Sequence, residues 1–229
     1  MASLTENTSR IANAKENIKT SIQNHGIDIL DTDKIESYAE KVDLIANLKN
    51  EDQFCYLFKN GRFLDQFDNI IAQSDGVILD CTGMFHNICL KDTTYRDYDF
   101  QNLNLSKCTN FYDCCTGGAD WWTIRGKILN FDMSSVENCN YTFNTCTYLT
   151  ALTFKEGASF GGNSSSASLT LDLSQTALDK TSFKDLLNSI SINNSEKTRI
   201  FKVKSALYTE LTDEILDIAD EKNYTIASA

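Results

Sequence analysis

Proline is absent from all 229 residues, where roughly 5% would be usual. Polyproline stalks and collagen-like shafts are therefore excluded, and turns must be made by Gly, Asn, Asp and Ser. Histidine is almost as scarce. Only His25 and His86 occur, and neither has a neighbouring cysteine pair at zinc-ligand spacing. Nucleophilic chemistry of the Ser/His or Cys/His kind needs a histidine at a formed site. His25 falls in a helix-ending turn and His86 sits beside an apolar Phe85, so both read as structural and no catalytic residue is assigned. No apolar run approaches the ~18 residues a membrane span needs. The opening MASLTENTSR has neither a basic start nor an apolar h-region, so no signal peptide is expected.

Basic residues are also few, 21 against 32 acidic, for a net charge of −11. Such a surface is repelled by phosphate backbones and anionic lipid, which argues against nucleic-acid binding and membrane insertion. Hydrophobic residues make up 41% of the chain, enough for a core. The eight cysteines include no Cys-x-x-Cys pair and read as small buried hydrophobes. No metal or cofactor is expected. The acidic run Asp28, Asp31, Asp33, Glu36 lacks the glycine and distal glutamate of a calcium loop.

The chain is organised around a near-repetition between Ile128 and Ile190. ILNFDMSSVENCNYTFNTC and SLTLDLSQTALDKTSFKDLL each open on an alternating run, Leu129, Phe131, Met133 and Leu169, Leu171, Leu173. Asp132 and Ser134 match Asp172 and Ser174. Phe143 and Phe183 follow at the same interval, then Cys146 and Leu186. Period-two alternation predicts strands, and Phe-x-x-apolar spacing predicts single helical turns. Cys114 is expected at the same place as Cys146 and Leu186. Further units are expected at Val77 and Leu79 with Phe85 and Ile88, at Leu103 to Ser106 with Phe111, at Leu149 to Phe154, and at Phe201 and Val203. Tyr224 and Ile226 close the series, after a helix capped by Thr212. A strand plus one turn cannot bury its apolar face alone, so such units must stack.

Residues 1–50 read as a helical hairpin. Ile11, Ala14, Ile18 and Ile22 lie on one face of the first helix, and Ile35, Tyr38, Val42 and Ile45 on the second. It is too small for its own core and is expected to attach or oligomerise. Residues 51–75 suit a cap over the stacked units, which fill the remainder of a 51–229 domain. Two segments stand apart. Asp120, Trp121 and Trp122, within a TGGADWW insertion, are the candidate surface contact, since tryptophan is favoured at interfaces and stacks on sugars. Gly157 to Ser168 reads as a flexible loop.

MSSVENCNYTFNTCTYLTALTF resembles the repeat of BspA-like leucine-rich repeat proteins, at Ser134, Val136, Asn138, Phe143, Cys146, Leu149 and Leu152. The C-terminal units are similar to terminal repeats in tail and baseplate proteins of phages of Gram-positive bacteria. The opening TENTSRIANAKENIKTSIQNHGIDI resembles a helical segment of the same virion proteins. The resemblance implies an α/β fold, an irregular leucine-rich-repeat-like solenoid with a mainly parallel sheet, preceded by the helical hairpin. It implies a non-enzymatic virion protein assembled in the host cytoplasm, a tail- or baseplate-associated fibre or adaptor. Its implied partners are other virion proteins through the N-terminal helices, a second copy of itself, and a host cell-surface protein or glycan. A BspA-like bacterial adhesin and a head-attached decoration protein are the alternatives.

Overall fold

The computed structural model describes residues 13–20, 58, 67–68, 71, 77–87, 95–117 and 124–229. It is a mixed α/β fold with two three-stranded parallel sheets. The first is β1 (Arg96–Asp99), β2 (Arg125–Phe131) and β3 (Tyr148–Phe154); the second is β4 (Ser168–Asp172), β5 (Thr198–Val203) and β6 (Thr225–Ser228). Helix α1 (Lys180–Ser189) returns the chain between β4 and β5, and α2 (Ser205–Glu210) and α3 (Asp213–Glu221) between β5 and β6. Parallel strands need such crossovers. The expected single sheet is thus two.

β4 obeys the alternation rule, with Leu169 and Leu171 buried and their neighbours exposed. β2 does not. Asn130 adopts a left-handed conformation (φ 57°), and the pairing with β3 shifts register between Ile128 and Phe131. The bulge turns Ile128 inward in place of Leu129. Gly126 is needed where it stands: at φ 117°, a Cβ would lie 2.0 Å from the Arg96 carbonyl oxygen. Further upstream Ile78 is buried and Leu79 is exposed, so that face is inverted relative to expectation.

The Phe-x-x-apolar segments take two forms. Phe183 and Leu186 lie on α1, whose N-cap Asp179 forms a reciprocal capping box with Ser182. Thr212 occupies the N-cap of α3 without a side-chain bond. Around Phe85, Phe111 and Phe143 the chain instead makes consecutive β-turns. Met84, Cys114 and Thr142 N–H each close back on the carbonyl three residues earlier, on Cys81, Phe111 and Cys139. The remaining donors cross between turns. Cys81, Gly83, Phe85 and Asn87 donate to the carbonyls of Asn110, Tyr112, Cys114 and Thr116 at 2.6–3.0 Å. Phe111, Asp113, Cys115 and Gly117 donate onward to Asn138, Asn140, Thr142 and Asn144 at 2.8–3.0 Å. Alternate N–H groups thus close the turns and cross-link them, so that stacked irregular backbone stays hydrogen-bonded.

The bridges Asp80↔Asn110 and Asn110↔Asn138 set the register. Each of these three residues caps its own turn, accepting from the N–H two residues on. Asn138 Nδ2 also donates to Asn110 Oδ1 at 3.1 Å, and Asn110 Nδ2 to Thr82 Oγ1 at 2.8 Å. Counted from these rungs, Phe85 and Phe143 are equivalent, but Cys115 fills the slot between them. Phe111 and Cys114 sit four positions earlier in their turn, which corrects the expected match of Cys114 with Cys146.

Inside, Phe58, Phe67, Phe85, Tyr98, Phe100 and Phe131 form a continuous aromatic series with centroids 5.2–5.9 Å apart. Phe143 meets Phe131 edge-on at 6.3 Å, and Phe183 meets Phe201 edge-on at the same distance. Six free cysteines, 81, 108, 114, 115, 139 and 146, are buried. Burial lifts the Cys139 thiol to about 12, and burial with the neighbouring Cys114 also raises that of Cys115. Those two thiols stay protonated, and all six cysteines serve as small packing groups.

The Gly157–Ser168 segment is anchored. Phe160 is fully buried, and its N–H donates to the Tyr224 hydroxyl. Arg199, 1% exposed on the same β5 face as Phe201 and Val203, donates to the carbonyls of Gly161, Ser164 and Ser166. The buried guanidinium gathers three carbonyls of one loop, of which Gly161 also accepts from the Ser164 N–H.

Candidate functional site

Asp120, Trp121 and Trp122 lie outside the described residues. Their flanks are held: Gly117 donates to Asn144 and accepts from Thr145 Oγ1, and Ile124 is fully buried. Ile11, Ile22, His25 and the second helix of the hairpin also lie outside the described residues. Ala14 and Ile18 fall on the helical stretch 13–20, and both are exposed, Ile18 at 44%. His86 Nδ1 lies 2.5 Å from Asp113 Oδ2, joining the first turn to the second. Among the described residues no group of three or more His, Cys, Asp or Glu is placed to hold a metal. No described helix is long and apolar enough to cross a membrane.

The site the structure assembles lies elsewhere, where the third turn meets β4. A groove of 510 Å³ is lined by Asn140, Tyr141, Asn144, Asp172, Gln175 and Lys202, with Cys139, Phe143 and Thr170 beneath. It exists because the cross-turn ladder stops there. In the first two turns the odd-numbered N–H groups all reach a carbonyl of the next layer. In the third turn the equivalent groups belong to Cys139, Tyr141, Phe143 and Thr145. Among the described residues only Thr145 N–H is taken, by Gln175 Oε1 at 3.0 Å, and no backbone carbonyl of theirs accepts from Cys139, Tyr141 or Phe143. The thiol of Cys139, donating to the Thr170 carbonyl at 3.3 Å, closes the opposite end of the seam.

Tyr141 stands over this gap. It is 60% exposed and has φ 60°, a conformation costly for a bulky side chain. The equivalent positions in the first two turns hold Gly83 and Asp113, also left-handed. Tyr112, 39% exposed, meets the Tyr141 ring edge-on with centroids 5.8 Å apart and perpendicular planes. On the β4 side, Asp172 accepts from Lys202 Nζ at 3.0 Å and from Ser174. Partial burial pulls the Asp172 carboxyl up, but the Ser174 and Lys202 bonds outweigh it and hold the pKa below the usual value. The groove therefore keeps a carboxylate and a cation already neutralising each other.

Tyr141 carried no signal as an isolated residue, because NCNYTFNTC draws attention to Phe143. Once the rungs are aligned on Asp80, Asn110 and Asn138, it is the bulky residue in a Gly/Asp position. Comparison of the chain with protein-family models, curated proteins and solved structures finds no match.

Proposed function

We propose that this chain is a non-enzymatic structural and attachment protein of a phage particle, a tail- or baseplate-associated fibre or adaptor. In this reading the layers form an irregular leucine-rich-repeat-like solenoid carried by an N-terminal helical hairpin. The observation that carries the architectural part is the recurrence of one hydrogen-bonding pattern at intervals of 28 to 30 residues. It links Asp80, Asn110 and Asn138 as side-chain rungs, and Asp172 with Lys202 as another. Units that add by nearest-neighbour contact produce long continuous faces, which suits display and binding. The non-enzymatic part is supported by the chemistry of the nucleophiles on hand. The Cys81, Cys115 and Cys139 thiols are buried with raised pKa values, the opposite of an activated cysteine. The particle assignment rests on the resemblance of the N-terminal and C-terminal segments to virion proteins, and exposed Ala14 and Ile18 suit an attaching helix face.

Mass spectrometry and immunogold labelling of purified particles test it. The chain should be found on the particle in a fixed copy number. A chain lacking residues 1–50 should keep a single cooperative unfolding transition and fail to be incorporated. A truncated chain that assembles normally would remove the attachment role.

A further inference from the structure

From the groove at the Tyr141 seam we infer a binding site for a neutral saccharide. The inference deepens the attachment reading and rests on it for the source of the ligand, not for the chemistry of the site. Three features of the groove define what it takes.

First, the N–H groups of Cys139, Tyr141 and Phe143, whose counterparts in the preceding turns all donate across to the next layer, have no backbone acceptor among the described residues. They form a row of donors spaced two residues apart, waiting for oxygen acceptors. Second, further polar groups converge on the same groove without internal partners. The side-chain amides of Asn140 and Asn144 and the Tyr141 hydroxyl make no hydrogen bond among the described residues, and Gln175 uses only its Oε1. Amides offer donor and acceptor side by side, and a carboxylate such as Asp172 accepts from hydroxyls. Interleaved donors and acceptors match a ring of hydroxyl groups. Third, an exposed aromatic ring flanks them. Tyr141 offers a flat apolar face of the kind that covers the C–H face of a pyranose, and Tyr112 braces it from the side.

Competing ligands fit less well. An anionic glycan meets a chain of net charge −11, and the lysine in the groove is already bonded to Asp172. An extended peptide could offer carbonyls at the same two-residue spacing, as an added strand does. Such a strand needs about 4.8 Å on each side of its backbone. The Cys139–Thr170 and Gln175–Thr145 bonds already join the two walls at both ends of the seam, so an added strand would have to break them. A saccharide lies over the seam and sends only hydroxyls into it.

Tyr141 also shows what the site costs. Its left-handed backbone would suit glycine better, and its ring contact among the described residues is with the exposed Tyr112 and not with the core. A residue kept there against its own conformational preference points to a role outside folding.

The test is saturation-transfer NMR and calorimetry on the full chain, with lactose, maltose, cellobiose and N,N′-diacetylchitobiose as probes and 3′-sialyllactose as the anionic control. At least one neutral probe should bind in the millimolar range or tighter, with sialyllactose no better than lactose. Tyr141→Gly should weaken binding about five- to ten-fold, while its urea midpoint stays equal to or above that of the parent chain. Tyr141→Phe should keep most of the affinity, and Asn144→Ala should lower it. No transfer to any neutral probe overturns the inference, as does binding unchanged in Tyr141→Gly, or a groove that a peptide library occupies and saccharides do not. None of these results bears on whether the chain is found on a particle, so the two readings fail separately.

Discussion

The region up to β3 and the region from β4 onward solve the same problem with different parts. Both stack backbone in parallel register, layer on layer. In the first, the layers at 81–87, 110–117 and 138–146 are runs of β-turns, cross-linked by alternate N–H groups and pinned by an Asx rung at each entry. In the second, the layers are strands returned by helices. The interiors differ accordingly. All six described cysteines lie between residues 81 and 146, none after β4 begins. The turn layers fill their interior with thiols set among Phe85, Phe111 and Phe143, whereas the strand layers use Leu171, Phe183, Leu186 and Phe201. A parallel ladder therefore does not require strands, provided that every second donor can close its own turn. The seam where the two solutions meet is also where the ladder lapses, and the groove is the consequence.

The sharpest way to break this comparison is to remove one ring from each region. Phe143 and Phe183 are both at most 1% exposed and each meets a strand phenylalanine edge-on at 6.3 Å. Phe143→Ala and Phe183→Ala should each cost about 3–5 kcal/mol of unfolding free energy, measured by urea denaturation followed by circular dichroism. Near-equal costs with a single transition would mean that turn layers and strand layers belong to one cooperative unit. A loss below about 1 kcal/mol for Phe143→Ala alone would show a loosely packed turn region.

A somewhat smaller effect is expected at Arg199, the polar centre of the strand region. Its guanidinium donates to Gly161, Ser164 and Ser166, and burial lowers its pKa against the opposing influence of Tyr224 and Cys139. Arg199→Met keeps much of the volume, strands the Ser164 and Ser166 carbonyls and leaves Gly161 only its bond from the Ser164 N–H, at a cost of about 3 kcal/mol. Hydrogen exchange should then rise first in residues 157–168. Unchanged exchange there would mean the loop is held by Phe160 alone.

Much of the strand region was legible in the sequence, because β4 and α1 follow their periods cleanly and Asp179 with Ser182 signs the helix start. The turn region was legible only in outline. Phe85 and Phe143 were placed as equivalents, but Phe111 belongs four positions earlier in its layer, since aromatic spacing varies where the Asx rungs do not. β1 was hidden because RDYD reads as a charged loop, although Tyr98 is fully buried. The burial of Arg199 has no sequence signature, since arginine is rarely a core residue. Gly157 to Ser168 looked flexible by composition; what fixes it is a side chain more than thirty residues away. The groove left no local trace, being the absence of a bond between two layers.

The smallest expected effect separates the two regions by pH. Asp179 caps α1 with its carboxylate, and bonds from the Ser182 N–H and hydroxyl hold its pKa below the usual value. The turn region uses the neutral amides of Asn110 and Asn138 for the same kind of capping. A carboxyl whose pKa is lowered on folding stabilises the native state fully above its unfolded value of about 4. That stabilisation is lost as pH falls through the lower, folded value. Asp179→Ala should cost about 1 kcal/mol at pH 7, and its gap from the parent chain should narrow on acidification below about pH 4. Asp179→Asn should keep most of the cap at pH 7, and its smaller gap should shift on acidification by the same amount as that of Asp179→Ala, because in both comparisons the group that titrates is the parent's carboxyl. Asn138→Ala should cost about 1 kcal/mol as well, with a gap from the parent chain that is flat across the same pH range. Parallel pH dependence in the Asp179→Ala and Asn138→Ala variants would mean that the helix cap is held by its neighbours and that its charge contributes nothing.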